Sequence, residues 1–358
     1  MKKENKFTII DMFSGCGGLS LGFIDAGFNV ILGVDHDSHA LETFRINHKN
    51  SKSLNLDLSD KNAINDIKNA VEGKTIDVIV AGPPCQGFSL TGPRKFDDKR
   101  NSLYLSVIEA VKEFKPKAFL IENVPGLIRL YNGKIKEEII NRLENIGYNV
   151  EAKILCAADY GVPQMRKRVV FVGLQKKIGK FVFPEATRDS GDYISCSDAI
   201  GDLPGLEKEL GSEESTYLQP AVTSYQKKMR HGAKVLYNHL GTKHTDLVTS
   251  VISQVPEGGD HKNLPAGVGK SRNFHCAWTR YHSQKPSKTI DTGHRNHFHY
   301  KYNRIPTVRE NARLQSFPDT FRFVGTKTQQ YRQAGNAVPP ILGYHLGRKI
   351  LFFLSKAK

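Results

Sequence analysis

The chain has 358 residues, 52 Lys and Arg against 36 Asp and Glu, and a formal net charge of +16. That length suits one large domain, or an α/β domain with a smaller companion. No apolar run is long enough for a membrane helix and a polar start leads straight into a strand, so neither a membrane span nor a signal peptide is expected.

Five cysteines, at positions 16, 85, 156, 196 and 276, show no CxxC or Cys/His metal spacing. A disulfide framework and structural zinc are therefore not expected, and a reducing cytoplasm is. The charge is concentrated: residues 220–313 hold 16 Lys and Arg against 5 Asp and Glu, together with nine of the 13 histidines. Aromatic residues (Tyr225, Tyr237, Phe274, Trp278, Tyr281, Phe298, Tyr300) interleave with them. A solvated basic surface is the plain reading; nucleic acid is the partner such a region would serve.

Phe7-Thr8-Ile9-Ile10-Asp11 reads as a short buried strand entering the turn Met12-Phe13-Ser14-Gly15-Cys16-Gly17-Gly18. Leu19 to Ala26 follows as a helix stopped by Gly27. Strand, glycine turn and helix form a nucleotide-site pattern, with Ser20 where the dinucleotide fingerprint has its third glycine. Val30 to Val34 is a second strand ending in Asp35, placed for ribose hydroxyls, and His36 is next. Asp57, after Leu54-Asn55-Leu56, is placed to accept from an adenine amine. Each carboxylate alone reads equally well as a helix cap or a surface group. Together, in a site poor in Lys and Arg, they suit a cationic adenosine compound such as S-adenosylmethionine better than a pyrophosphate.

Asp77-Val78-Ile79-Val80-Ala81 is a strand whose carboxyl end runs into Gly82-Pro83-Pro84-Cys85-Gln86-Gly87-Phe88-Ser89. In open α/β sheets ligands gather at that edge. Two prolines fix the backbone there and remove two amide donors, so Cys85 is presented rigidly, as a nucleophile would be. Ser102 to Phe114 is helical by pattern. Lys117 to Ile121 is another buried strand, closed by Glu122-Asn123-Val124-Pro125. A carboxyl group in that place is costly to desolvate without a partner, and burial raises its pKa toward the range of a proton donor. Gly133 to Ile146 reads as a helix. Tyr148 to Cys156 and Val169 to Gly173 read as paired strands around Gln164-Met165-Arg166-Lys167-Arg168. On a strand Arg166 and Arg168 would share one face. Near 185 the α/β alternation gives way to loop-rich sequence, and a domain boundary is placed there. Thr307 and Glu310 have capping-box spacing. Gln333 to Pro340 leads into a last apolar helix, Ile341 to Phe353, expected to pack on the first domain.

The blocks Asp11 to Gly18, Gly82 to Ser89, Glu122-Asn123-Val124, Gln164 to Arg168, Arg309 to Asp319 and Gln333 to Pro340 occur in one order along nearly the whole chain. In them the chain resembles the cytosine-C5 DNA methyltransferase family of the bacterial restriction–modification type. The resemblance implies a Rossmann-like α/β fold: a mixed, mostly parallel sheet with a smaller, irregular target-recognition domain. The catalytic S-adenosylmethionine-binding domain would be 1–185 plus 325–358, and the recognition domain and hinge 186–324.

It further implies Cys85 as the nucleophile on cytosine C6, Glu122 at N3, and Arg166 and Arg168 at the base and its phosphate. S-adenosylmethionine, leaving as S-adenosylhomocysteine, would be held by Phe13, Ser14, Gly15, Cys16, Gly17, Gly18, Leu19, Asp35, His36, Asp57, Leu58, Pro83, Asn336, Ala337 and Val338, with no metal. DNA contacts would come from Pro84, Gln86, Ser89, Asn123 and Gln164, and from Arg272, Arg280 and Arg295 in the basic region. The target cytosine would be flipped out of duplex DNA. No helix carries an apolar seam, so a monomer is expected, with a cognate endonuclease as a functional rather than a bound partner. An RNA cytosine-C5 methyltransferase and a catalytically silent DNA-binding protein are the alternatives on the same scaffold.

Overall fold

A computed structural model describes residues 6–84, 103–207, 209–268, 278–293 and 296–357. In chain order the elements are β1 (Thr8–Met12), α1 (Gly18–Ala26), β2 (Asn29–Asp35), α2 (Ser38–Asn47), β3 (Lys52–Asn55), α3 (Ala63–Ala70), β4 (Val78–Ala81), α4 (Leu103–Phe114), β5 (Ala118–Asn123), α5 (Lys134–Asn145), β6 (Tyr148–Cys156), β7 (Gln164–Met165) and β8 (Lys167–Gln175). There follow α6 (Cys196–Ile200), β9 (Glu214–Ser215), α7 (Ser224–Arg230), β10 (Leu236–Tyr237), α8 (Asp246–Ser253), β11 (Thr279–Arg280), β12 (Ser287–Lys288), β13 (His297–Phe298), α9 (Val308–Leu314), α10 (Lys327–Asn336) and α11 (Pro340–Lys356). No described helix is long and apolar enough to cross a membrane.

The chain forms two compact units, one of Met1–Cys156, Lys167–Ala186 and Pro340–Lys358, the other of Ala157–Arg166 and Thr187–Pro339. The return to the first unit thus falls at Pro340 and not near 325, and Ala157–Arg166 goes with the second unit.

The first unit is built on a seven-stranded sheet in the order β3-β2-β1-β4-β5-β8-β6. β1 to β5 run parallel, and β8 is antiparallel to both β5 and β6. The strands are short apolar runs because both faces are covered: all four residues of β4 and all six of β5 are buried. After β1 the chain lays β2 and β3 on one side and then crosses to β4 on the other. The carboxyl ends of β1 and β4 therefore flank the switch point where such sheets bind ligands. Register brings Met12 beside Ala81 and Ala81 beside Ile121. The turns after β1, β4 and β5 thus leave the sheet at one level.

α1 and α11 lie against each other through small residues. A Cβ on Gly22 would stand 2.3 Å from the Pro340 carbonyl oxygen and 2.6 Å from the Tyr344 amide nitrogen. Neither backbone can yield without moving a helix. Gly22→Ala is expected to cost about 1–3 kcal/mol through overpacking, although alanine favours a helix elsewhere. Urea unfolding of the two proteins reads this directly, and an unchanged midpoint would refute the tight contact.

In the second unit short strand pairs, β9 with β10, β11 with β13 and β7 with β12, hang on a buried charged framework. Arg313 donates to Asp202 at 2.7 Å and to both oxygens of Asp319 at 2.7 Å. Arg304 forms a fork on Glu310 with both contacts at 2.7 Å. Thr307 and Glu310 close the predicted capping box: Glu310 N donates to the Thr307 hydroxyl at 3.1 Å, and Thr307 N to the Glu310 carboxylate at 2.7 Å. Removing one partner from any of these pairs would strand a buried charge, so they act as one unit.

Candidate active site

The glycine turn after β1 begins with strain. Phe13 takes φ 58°, a left-handed conformation unusual for a bulky side chain, and Gly15 and Gly17 follow at 52° and 90°. Ser14 N donates to Val34 O at 3.0 Å, fastening the turn to the end of β2. Asp35, at that end, accepts from Gly15 N at 2.8 Å and from Asp37 N at 2.9 Å. Beneath the turn lies His48, packed on Phe44 with ring centroids 4.4 Å apart. Burial lowers the His48 pKa to about 4, so the ring is neutral. A Cβ on Gly17 would stand 2.1 Å from His48 Nε2, and only glycine fits.

The Cys16 thiol is buried and pushed up to about 12 by desolvation, which makes it a poor nucleophile. Leu19 and Leu58 are also buried, Leu58 within the apolar core. His36 is exposed and its Nδ1 lies 3.4 Å from Asp35 Oδ1. Asp57 is exposed and spends Oδ1 on Ser59, amide and hydroxyl, which lowers its pKa.

These residues fit an adenosine cofactor. Ser14 Oγ is buried in the turn with no hydrogen-bond partner, and space opens where a Cβ of Gly15 would point.

One residue of the turn escaped the sequence reading. Asp11 is 1% exposed and accepts from Ser20 Oγ at 2.6 Å. Burial raises its pKa from 3.8 to about 7, opposed by the Ser20 hydrogen bond and reinforced by the Asp35 charge. Ser20, in place of the third glycine, thus ties the first turn of α1 to the end of β1. The signal was there: an acid closing an apolar strand, the same feature that marks Glu122. Because the folded state prefers protonated Asp11, its contribution is complete below about pH 4, fades as pH rises, and is gone above about 7. Asp11→Asn should gain on wild type in unfolding midpoint between pH 5 and pH 8; parallel curves would refute the assignment.

At the ends of β4 and β5 stand the Gly82-Pro83-Pro84 turn and Glu122. Gly82 N donates to Met12 O at 3.3 Å. Asn123 Nδ2 donates to Pro83 O at 3.0 Å, while its Oδ1 accepts from Val124 N at 2.8 Å. Asn123 therefore fastens the Gly82-Pro83-Pro84 turn. Glu122 is 9% exposed and pairs with Arg168 Nε at 2.8 Å. Its Oε2 is 3.6 Å from where a Cβ of Gly82 would be, so the carboxylate faces the turn that leads to Cys85. Cys85, Gln86 and Ser89 lie outside the described residues, as do Arg272 and Arg295.

Arg166 and Arg168 do not share a strand face. β7 ends at Met165 and β8 starts at Lys167, so Arg166 falls in the break, 2% exposed. Its Nη2 donates to Asn336 O at 3.4 Å, within the second unit. Asn336 is exposed, Ala337 half-buried and its carbonyl held by Gln315 Nε2 at 3.1 Å, and Val338 is buried.

Two expected DNA contacts are corrected. Gln164 is wholly buried, donating to Leu314 O at 3.2 Å and Gln315 Oε1 at 2.8 Å and accepting from Ile290 N at 3.2 Å. Arg280 is 5% exposed, and its guanidinium binds the carbonyls of Ile252, Val255, His299 and Tyr302 and the Asn303 side chain. Both are internal struts, with no group left for a base.

The strand order, with the glycine turn after β1 at the carboxyl edge of the sheet, is that of an α/β fold with a ligand site at its switch point. The chain matches the family model for C-5 cytosine-specific DNA methylase over residues 7–351. It is 40% identical to the Type II methyltransferase M1.HphI of Haemophilus parahaemolyticus, over 96% of this chain and 86% of that one. It is 36% identical to the Type II methyltransferase M.DdeI of Desulfomicrobium norvegicum, over 97% and 89%. Among solved structures, a putative DNA modification methyltransferase encoded within an E. coli prophage superposes with a TM-score of 0.81 at 29% identity, covering 98% of this chain and 100% of that one. The chain belongs to the C-5 cytosine-specific DNA methylase family, and it is a DNA cytosine-C5 methyltransferase.

Proposed function

We propose that the protein methylates C5 of a flipped-out cytosine in one short duplex sequence, through a covalent bond from Cys85 to C6. It acts in the cytoplasm as a monomer and protects its host's DNA from a cognate endonuclease. The Type II methyltransferase names of its relatives support the last part. The chemical part rests on the Glu122–Arg168 pair, 2.8 Å apart, beside the turn that leads to Cys85.

C5 of cytosine is a poor carbon nucleophile. Attack of the Cys85 thiolate on C6 breaks the C5=C6 double bond and sends its electron pair into the ring, where C5 becomes enamine-like. Glu122 at N3 holds or supplies the proton that stabilises this charge, and Arg168 keeps the carboxylate aimed. Arg166 and Arg168 orient the base and its phosphate. S-adenosylmethionine, when bound, supplies an electrophilic methyl group. Phe13, Ser14 and Gly15 to Leu19 would hold it, with Asp35, His36, Asp57, Leu58 and Pro83. Loss of the C5 proton and departure of the thiolate then restore aromaticity.

The test is methylation-sensitive sequencing of plasmid DNA from cells expressing the chain. C5-methylcytosine at one short motif is expected. Its absence, from protein that is folded and binds the cofactor, would overturn the reading.

A further inference from the structure

Within the second unit two buried side-chain amides form a relay that reaches Arg166 from two sides. Gln164 and Gln315 are both wholly buried, and their amide groups meet. Gln164 Nε2 donates to Gln315 Oε1 at 2.8 Å and to Leu314 O at 3.2 Å. Gln315 Nε2 in turn donates to Ala334 O at 2.7 Å and to Ala337 O at 3.1 Å. Gln164 Oε1 accepts from Ile290 N at 3.2 Å, which anchors the relay at its other end. The side chain at 315 must therefore accept once and donate twice. Neither glutamate nor methionine, the nearest in size, can do both.

One arm of the relay fixes the root of the Arg166 side chain. Arg166 N donates to Gln164 O at 2.9 Å, and Arg166 O accepts from Ala157 N at 2.9 Å, so a fixed Gln164 fixes the backbone of Arg166. The other arm fixes what the tip touches. Arg166 Nη2 donates to Asn336 O at 3.4 Å, and Asn336 is the last residue of α10. The two carbonyls that Gln315 holds, those of Ala334 and Ala337, stand on either side of it in that turn. The guanidinium thus meets the carbonyl end of a helix, where a cation is favoured. Gly335 seats the same turn on neighbouring backbone: a Cβ there would stand 2.4 Å from Asp291 O.

We infer that Gln315 is a positioning residue for methyl transfer, which sets the place of the Arg166 guanidinium through Gln164 and through the end of α10. The inference rests on the role proposed for Arg166 at the target base. A buried amide with every group engaged also supports stability, as any such group would. Two features go beyond that. Both arms of the relay end on the same arginine, one at its backbone and one at its tip. The bond they aim, at 3.4 Å, is also the longest of the set, so the guanidinium relies on the shorter bonds around it to stay in place.

The test is a double-mutant cycle on the full-length protein: Gln315→Met, Arg166→Ala and the two combined, with kcat and KM measured on cognate duplex well below the melting midpoints. Gln315→Met keeps the length of the side chain and removes its amide. Misplacing a catalytic group by about 1 Å can cost about 10²-fold, so kcat is expected to fall about tenfold or more while KM for DNA stays within about twofold. In the Arg166→Ala background the same substitution is expected to cost less than about twofold, because nothing remains for it to aim. Equal fractional losses in both backgrounds would mark a strut and overturn the inference, as would a folded Gln315→Met with the wild-type kcat. Gln315→Asn, which keeps the amide but shortens its reach, runs the same cycle should the methionine variant not fold. Failure of both to fold makes Gln315 a stability residue and also overturns the inference. Wild-type turnover by Arg166→Ala is a different result: it withdraws the role of Arg166 itself, and the inference with it.

Discussion

Cys85→Ala is expected to lower methyl transfer by about 10⁴-fold or more, because in the proposed mechanism Cys85 forms the C6 bond that activates C5. Cys16, in the glycine turn, offers no substitute: it is buried, and desolvation pushes its pKa to about 12. What the fold contributes is the approach to Cys85. Gly82 is tied to Met12, Pro83 is held by Asn123, and the two prolines stiffen the chain between them. None of those contacts involves the thiol, so the variant should keep its melting midpoint and its affinity for duplex DNA. The covalent step has its own readout. In a duplex carrying 5-fluorocytosine at the target, C5 carries fluorine, which cannot leave as a cation, so the adduct should persist through denaturing electrophoresis. Wild type is expected to form it and Cys85→Ala is not. Turnover retained by the variant would remove Cys85 from the mechanism.

The fold was legible where local chemistry alone determines an element. β1, β4 and β5 are apolar runs that end in a turn signal, and the glycines between β1 and α1 mark a turn even without the third glycine of the dinucleotide fingerprint. Even there the reading stopped at the glycines. The asparagine after Glu122 looked like a substrate contact, and it is a strut beneath Pro83. Asp11 was passed over because its partner, Ser20, was read as a missing glycine and not as a hydrogen-bond donor.

Longer-range pairing was not legible. The resemblance alone makes DNA contacts of Arg280 and Gln164, one from its place in the basic region and the other from its motif block. The hydrogen-bond partners that occupy them come from residues 252 to 303 and from 290 to 315, at separations no motif encodes. Strand faces misled in the same way. Arg166 and Arg168 alternate in sequence, but Arg166 sits in the break between β7 and β8, where period-two logic no longer applies. Basic residues of this chain thus divide into struts and free charges, and burial decides which is which. Arg280, Arg304, Arg309 and Arg313 are buried and belong to the framework, so the excess charge available to DNA is smaller than the sequence count of residues 220–313 implies.

Glu122→Gln separates the two duties of that carboxylate. The amide keeps the size of the side chain and leaves an oxygen beside Arg168 Nε, where wild type has an ion pair at 2.8 Å with 13% of the arginine side chain exposed. The structural duty therefore largely survives, and the unfolding midpoint should shift only a little. The chemical duty does not survive: an amide has no proton to share with N3 as negative charge enters the ring. Loss of a positioned acid is worth about 10²–10⁴-fold, and kcat is expected to fall by that amount with little change in KM for DNA. Glu122→Ala leaves Arg168 without its partner and should lose stability as well, by about 1–3 kcal/mol, since a half-buried guanidinium is then left unpaired. The contrast between the two variants carries the argument. Were Glu122 only an anchor for Arg168, Gln would be near wild type in rate and Ala alone would fail. A Gln variant that folds normally and turns over within about threefold of wild type would take the proton-bearing role away from Glu122.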